Sequence, residues 1–196
     1  FPPEGYGSHL FAEFEKRATA VAAEVFRVKT PQEGADIVLD LAQQAGARKV
    51  VSVSSPLQEE AGIETAFNSA GIEFYSDQNS IATHAATADI GISGVEFGIA
   101  ESGSVCQDAY AIESRLVSTL PPIHVVFLDS GLIVPEITDA FEIISKVFDR
   151  GYVTFITGPS RTADIEVVLA IGEGLPCRCI KRDSLAEFIA ANGPKY

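Results

Sequence analysis

Methionine and tryptophan are absent from this 196-residue chain, and cysteine and histidine occur only three times each. Basic residues are scarce as well: 14 Lys and Arg stand against 27 Asp and Glu, for a net charge of −13. That deficit argues against nucleic acid and anionic membranes as partners, because neither offers counter-charge to an acidic surface. It leaves room for a small anion held in a locally positive pocket. Cys106, Cys177 and Cys179 are odd in number and include no CxxC spacing. They are expected to be reduced thiols of a cytoplasmic protein, some of them in the core. No His lies near them in sequence, so no metal site is expected. No apolar run reaches the roughly 18 residues needed to span a bilayer, so no membrane insertion is expected. The opening FPPEGYGSHLFAEF lacks the basic-then-apolar order of a signal peptide. A chain that begins at Phe1 and holds no Met is expected to have lost its natural start. HExxH, GxSxG, a P-loop and a GxGxxG in strand–helix context are missing too.

What is present reads as one globular domain. Apolar residues make up 46% and charged residues 21%, enough for a packed core and too little charge for disorder. Residues 8–28 carry Phe11, Phe14, Ala18, Val21 and Val25 at helical spacing, which predicts a helix. Thr30-Pro31-Gln32-Glu33 is a capping box with proline at the first helical position, and the helix it opens should stop at Gly46. KVVSV (49–53) reads as a buried strand, followed by a helix over about 57–69. Further strands are expected at 72–75, 88–93, 104–109, 123–128, 152–157 and 177–181. Helices are expected at 136–149 and 184–191. Strands alternating with helices predict an α/β protein with a largely parallel sheet. The glycine-rich stretch 88–109 has no room for a full helix and is expected to be an antiparallel excursion.

Two stretches carry candidate chemistry. In TFITGPSRTADIE (154–166) a strand runs into Gly158, which frees the backbone to turn, and Pro159, which stiffens it. Ser160 and Thr162 can cap the following helix or bond a ligand. Arg161 is out of place near a positively polarised helix start. Either it braces the loop by pairing with Asp164 or another carboxylate, or its planar fork and the free N–H groups converge on a carboxylate or phosphate. The second stretch is GISGVEFGIAESGSV (91–105). Glu96 and Glu101 sit among apolar neighbours, so either could have a raised pKa and act as base or nucleophile. Alternatively Glu101-Ser102-Gly103-Ser104 is a turn between strands with Glu101 in solvent. Asp89 is expected to bond backbone N–H groups. His124 is expected in the core, His9 exposed, and His84 and Arg115 near a pocket or in solvent.

Taken together, ADIGISGVEFGIAESGSV (88–105), RLVSTLPPIHVVFL (115–128) and TFITGPSRTADIE (154–166) resemble the LUD-domain family, in particular its lactate-utilization protein C group. The resemblance covers about residues 35–182. It divides the chain into an N-terminal helical segment, 1–34, and a LUD domain, 35–196. It implies a Rossmann-like, largely parallel sheet with an inserted antiparallel β element, as in ribose-5-phosphate isomerase, glucosamine-6-phosphate deaminase and CoA transferases. It also implies an accessory role in a cytoplasmic system oxidising L-lactate, beside an iron–sulfur sister subunit. This chain has no cluster-binding Cys run, and no cofactor is indicated. Related CoA transferases use a glutamate at a glycine-rich turn as nucleophile. Glu101, followed by Ser102 and Gly103, is similar in setting, although the surrounding residues are not the CoA-transferase pattern. Three functions therefore stand as expectations: an accessory subunit binding a small anion at Gly158–Thr162 with Glu101 across the pocket; a stand-alone CoA-transferase-like or isomerase-like enzyme using Glu101; and an inert structural subunit.

Overall fold

The computed structural model of the chain describes residues 6–147, 152–158, 177–183 and 186–191, the last two segments by their backbone. Seven strands, β1 (Glu24–Arg27), β2 (Lys49–Ser52), β3 (Glu73–Tyr75), β4 (Ile90–Gly94), β7 (Ile123–Asp129), β10 (Cys177–Asp183) and β11 (Ala186–Ala191), form one sheet in the order β1-β11-β10-β7-β4-β2-β3. The pairs β2–β3, β2–β4, β4–β7 and β7–β10 are parallel, and β11 is antiparallel to β10 and β1. A second sheet holds β5 (Phe97–Ile99), β6 (Ser104–Asp108), β8 (Ile133–Val134) and β9 (Val153–Ile156), in the order β8-β5-β6-β9. β5 and β6 form the antiparallel excursion expected from the glycine-rich stretch. This is the expected α/β class: a largely parallel sheet with an inserted β element.

Alternation along β7 builds the layers. Val125 and Phe127 point into a core closed by helices α2 (Pro31–Gln44) and α4 (Ile63–Ser69), contributing Val38, Leu41 and Phe67. Val126 and Leu128 point the other way, against Phe11 and Phe14 of α1 (Phe11–Ala20) and Val105 and Ile133 of the small sheet. Strand residues on opposite faces thus serve different cores, as a period of two demands. β2 divides likewise: Val50 faces the first core, while Val51 packs on α5 (Gln78–His84) and α6 (Ile112–Thr119) through Ile81 and Val117.

Local signals account for the helix ends. Thr30 Oγ1 accepts from the Glu33 amide at 3.2 Å, the N-cap bond read from sequence, and Glu33 Oε2 accepts at 2.7 Å from the amide of Lys29, one residue before the cap. The predicted helix over 57–69 is two helices, α3 (Pro56–Ala61) and α4, broken where Gly62 takes a φ of 67°. The predicted helix over 8–28 is corrected more strongly. After a 3₁₀ turn at Ser8–Leu10, α1 ends at Ala20, and Val25 belongs to β1. The stop is a Schellman turn in which the Ala23 amide bonds the Ala18 carbonyl and Ala22 takes a φ of 67°. Such turns are usually announced by Gly; here Ala occupies the left-handed position, so the spacing alone ran on. The helix expected at 184–191 is instead β11, paired with β10 and β1. Sheet edges that need partners outweigh the helical preference of an alanine-rich segment. β9 lies in the small sheet, antiparallel to β6, and not in the largely parallel sheet.

Two glycine-related outcomes test this packing. A Cβ on Gly91 would stand 2.1 Å from the Val117 carbonyl oxygen, because α6 lies directly on β4. Gly91→Ala is expected to lower unfolding free energy by about 1–3 kcal/mol in urea titrations, the usual cost of overpacking a core. Ala22→Gly is expected to raise it by about 0.5–1 kcal/mol, by relieving the left-handed penalty at a position where Gly is free to turn.

Candidate functional site

The chain order of the parallel strands reverses between β2 and β4: β3 lies outside β2, whereas β4, β7 and β10 follow on its other side. A crevice opens beyond the carboxyl ends of strands at such a reversal. Here it is a cavity of about 810 Å³. Ser54 and Ser55 follow β2, Gly94 ends β4 and Glu96 follows it, Asp129 ends β7, and Gln107 and Asp108 end β6. Leu57, Val95, Phe127 and Leu132 supply apolar wall. Gly94 is required: a Cβ there would approach the Ser55 side chain to 2.7 Å.

Three carboxylates face this space. Asp108 Oδ1 accepts from the Tyr110 amide at 2.9 Å, and Asp129 Oδ1 accepts from the Gly131 amide at 2.8 Å. Glu96 is exposed as a residue, and its carboxyl is partly desolvated beside the cavity. That desolvation, with Asp108 nearby as a lesser cause, raises its pKa. Cys106, fully buried against Phe97, Ile99 and Val134, is pushed up to about 12 by burial and then by Glu96 and Asp108, so it packs as a neutral thiol. Gln107 is only 3% exposed, and its Oε1 has no hydrogen-bond partner.

Of the residues expected to form the anion site, Glu101, Ser102, Gly103 and Gly158 lie at the other end of the small sheet. Antiparallel pairing of Val105 with Ile156 sets the Glu101–Gly103 turn beside the end of β9. The Ser104 and Thr157 hydroxyls share a 2.8 Å hydrogen bond, and Ser102 Oγ donates to Ser104 Oγ at 2.7 Å. Gly158 has a φ of 104°, the backbone freedom the sequence implied. Pro159, Ser160, Arg161 and Thr162 lie outside the described residues. Glu101 is exposed, and its Oε2 accepts at 3.0 Å from the amide of Ile137, the first residue of α7 (Ile137–Val147). A carboxylate there satisfies an orphan N–H and faces the positive helix end. Gly103 is held by packing: its φ is 69°, and a Cβ would stand 2.2 Å from the Ala18 amide nitrogen.

The remaining polar candidates are mostly structural. Asp89 Oδ2 accepts from the Arg48 and Lys49 amides at 2.8 and 3.0 Å, as expected. His124 is buried, with Nε2 2.8 Å from Ser93 Oγ. His84 stacks on Tyr75 at 3.9 Å, and the Arg115 guanidinium lies 4.7 Å over the Tyr152 ring. His9 is exposed. Among the described residues, no three His, Cys, Asp or Glu side chains group to hold a metal ion, and no helix is long and apolar enough to cross a membrane. Sequence reading passed over the cavity as a site, because its lining comes from four separate strand ends; only Glu96 was marked.

Glu96 supplies a pH test. Its folded pKa is raised above the ordinary 4.5, so the folded state holds the proton more tightly, and stability falls as pH climbs from 4.5 through the folded value. Glu96→Gln is therefore expected to raise the melting temperature at neutral pH. That gain should vanish below pH 4.5, where both states are protonated; calorimetric scans across pH check it.

Comparison with known proteins agrees with this architecture. The LUD domain model matches residues 11–180. Lactate utilization protein C 1 of Bacillus mycoides (strain KBAB4) is 32% identical over 129 residues, which is 61% of this chain and 55% of that protein. Lactate utilization protein C of Halalkalibacterium halodurans is 26% identical over 184 residues, covering 89% and 79%. In several relatives the match spans only about half of their length or less, from 39% to 55%. Among solved structures, a DUF162 family protein from Deinococcus radiodurans superposes with a TM-score of 0.59 at 21% identity, over 76% of this chain and 87% of that one. With the family's model covering most of its length and a family fold beneath it, this chain belongs to the LUD-domain family.

Proposed function

We propose that this chain serves in lactate utilization, as an accessory subunit of a cytoplasmic L-lactate-oxidising system. In that reading it docks with an iron–sulfur sister subunit and binds a small carboxylate or phosphate on the Gly158–Thr162 turn. The observation that carries the lactate assignment is the shared name of its relatives, lactate utilization protein C, across different bacterial species. The anion reading is supported by the register of β6 and β9, which sets Gly158 beside the Glu101-Ser102-Gly103 turn. Gly158 leaves the sheet with a positive φ where Pro159-Ser160-Arg161-Thr162 begins. Backbone amides and the Arg161 fork would supply the donors that a carboxylate needs.

A stand-alone enzyme of the CoA-transferase or isomerase kind, with Glu101 as nucleophile or base, has less support. The Glu101 carboxylate is committed to the α7 amide, where it braces a helix. An inert structural subunit is the outcome expected if partner binding persists without any ligand.

Deletion of the gene is expected to abolish growth on L-lactate as sole carbon source, with growth restored by the wild-type chain. Affinity purification from lactate-grown cells should retrieve a chain carrying ferredoxin-type cysteines. Calorimetric titration with lactate, pyruvate and inorganic phosphate should show binding of at least one, weakened about tenfold or more by Arg161→Ala, the value of a charge-assisted bidentate contact. Wild-type growth of the deletion strain on lactate would remove the assignment. Equal binding by Arg161→Ala would remove the anion turn.

A further inference from the structure

The apolar side chains left in solvent gather around one strand. Of the six large apolar side chains exposed among the described residues, five come from the start of α6, from α7 and from the approach to β9: Tyr110, Ile112, Phe141, Val147 and Tyr152. Phe141 meets the Phe155 ring edge-on at 5.7 Å, on one face of the small sheet. Tyr152, three residues before Phe155, belongs to the other face by alternation, under the Arg115 guanidinium. The Ala109 amide donates to the Tyr152 carbonyl at 3.1 Å, which brings Tyr110 alongside. Exposed apolar groups thus flank β9 on both faces, and a clustered patch of this kind marks an interaction surface. β9 itself suits pairing. It is last in the described strand order β8-β5-β6-β9, and its sequence, VTFI, has no charge and no proline. Sheet edges are ordinarily blunted by such residues, by shortness or by cover. The opposite edge, β8, is two residues long, and the Gly7 amide bonds its Ile133 carbonyl at 2.9 Å. β3, at one end of the main sheet, carries Glu73. Because Tyr152 and Thr154 turn their backbone groups to β6, the N–H and C=O of Val153 and Phe155 point outward.

We propose that this chain forms a two-fold dimer in which β9 pairs antiparallel with β9 of a second copy, joining their small sheets into one. Val153 bonds the partner's Phe155, Phe155 bonds the partner's Val153, and the two Thr154 residues face each other on the axis. Charge and area favour a second copy over a different protein. Residues 109–120 and 137–156 carry three basic against four acidic side chains, a balance of −1 within a chain of −13. Elsewhere two copies of so acidic a chain repel; here they can meet. Lys146 and Glu142 pair at 3.4 Å on α7, and neighbours of opposite sign complement their own rotated copy. Tyr110, Phe141 and Tyr152 are 55%, 58% and 49% exposed, which makes about 300 Å² of aromatic surface at the size of such side chains. A stable interface takes about 800 Å² from each partner. A two-fold axis uses one patch on both sides, so these rings supply about a third of it, and Ile112, Val147 and the strand edge add to that. Aromatic residues and arginine are also the types enriched at interfaces. The dimer rests neither on the lactate assignment nor on the Gly158–Thr162 turn.

Sedimentation equilibrium of the full chain at micromolar concentrations tests it. The expected mass is twice the 20.8 kDa of one chain. Thr154→Lys and Thr154→Glu each set like charges opposite one another on the axis and should weaken the dimer about fivefold or more. Mixing the two variants should restore a dimer, because opposite charges then meet; a merely structural defect is not repaired by mixing. Thr154→Cys should oxidise to a disulfide-linked dimer, because residues opposed in a pair without backbone bonds stand about 4.5 Å apart at Cα. This last variant decides the matter if the charged ones fail to fold. A dimer unmoved by either charge, or no cross-link in Thr154→Cys, would overturn the proposal. A monomer at the highest concentration would overturn it too, and Val153 and Phe155 amides protected from hydrogen exchange in that monomer would give the edge to residues 159–176 instead. None of these outcomes bears on growth with lactate or on the Arg161 titration, so the two proposals fail separately.

Discussion

Burial of β7 on both faces is the constraint from which the rest of the architecture follows. Between Ile123 and Leu128 every side chain is enclosed, with Val125 and Phe127 in one core and Val126 and Leu128 in the other. A strand enclosed twice needs cover on both sides. Helices α2 and α4 give it on one face; α1 and the small sheet give it on the other. The single polar side chain in that run, His124, obtains its hydrogen bond from Ser93 on the neighbouring strand, since a buried imidazole needs a partner. The glycines on that side of β4 and β5 are consequences. Gly91 lets α6 come down onto the sheet, and Gly98 makes room for Phe14 and Leu128.

The small sheet then sets where chemistry can occur. β6 runs from Ser104, which hydrogen-bonds Thr157, to Asp108, which lines the cavity at the strand-order reversal. One strand therefore serves two places of opposite character. At its start lie the Glu101 turn and the exit of β9 at Gly158. At its end lie Gln107 and Asp108, facing Glu96 and the crevice of the main sheet. Strand pairing holds both ends in fixed register, so neither can shift without disturbing the hairpin with β5.

Electrostatics separates the two ends more sharply than distance does. The chain carries a net charge of −13, and the crevice at the strand-order reversal carries that sign through Glu96, Asp108 and Asp129. Beside that crevice the fully buried Cys106 thiol is pushed up to about 12, while Glu96, exposed as a residue, has its pKa raised by partial burial of its carboxyl. Glu101 has the reverse setting. It is exposed and answered by the amide of a helix start, so its charge is stabilised where it stands.

Much of this was open to reading in one dimension. Periodicity marked α2, the capping box marked its start, and β-branched runs marked β2, β4, β6 and β7, because these signals are local and each is satisfied within a few residues. The order of three segments, 88–105, 115–128 and 154–166, was enough to identify the family. Asp89 could be assigned to backbone amides because a charge inside an apolar strand has few other partners. What no local pattern contained was pairing. The Schellman turn on Ala22 shortened α1 without a glycine to announce it, and β10 and β1 drew residues 186–191 into a strand against their helical composition. The cavity was likewise decided in three dimensions: Ser54, Glu96, Gln107 and Asp129 come from four strand ends, and only the order of strands in the sheet brings them together. Sequence determined which segments are buried and which can turn, since hydrophobicity and backbone freedom belong to single residues. Tertiary structure decided which of two glutamates is desolvated and which caps a helix, since that depends on neighbours tens of residues away.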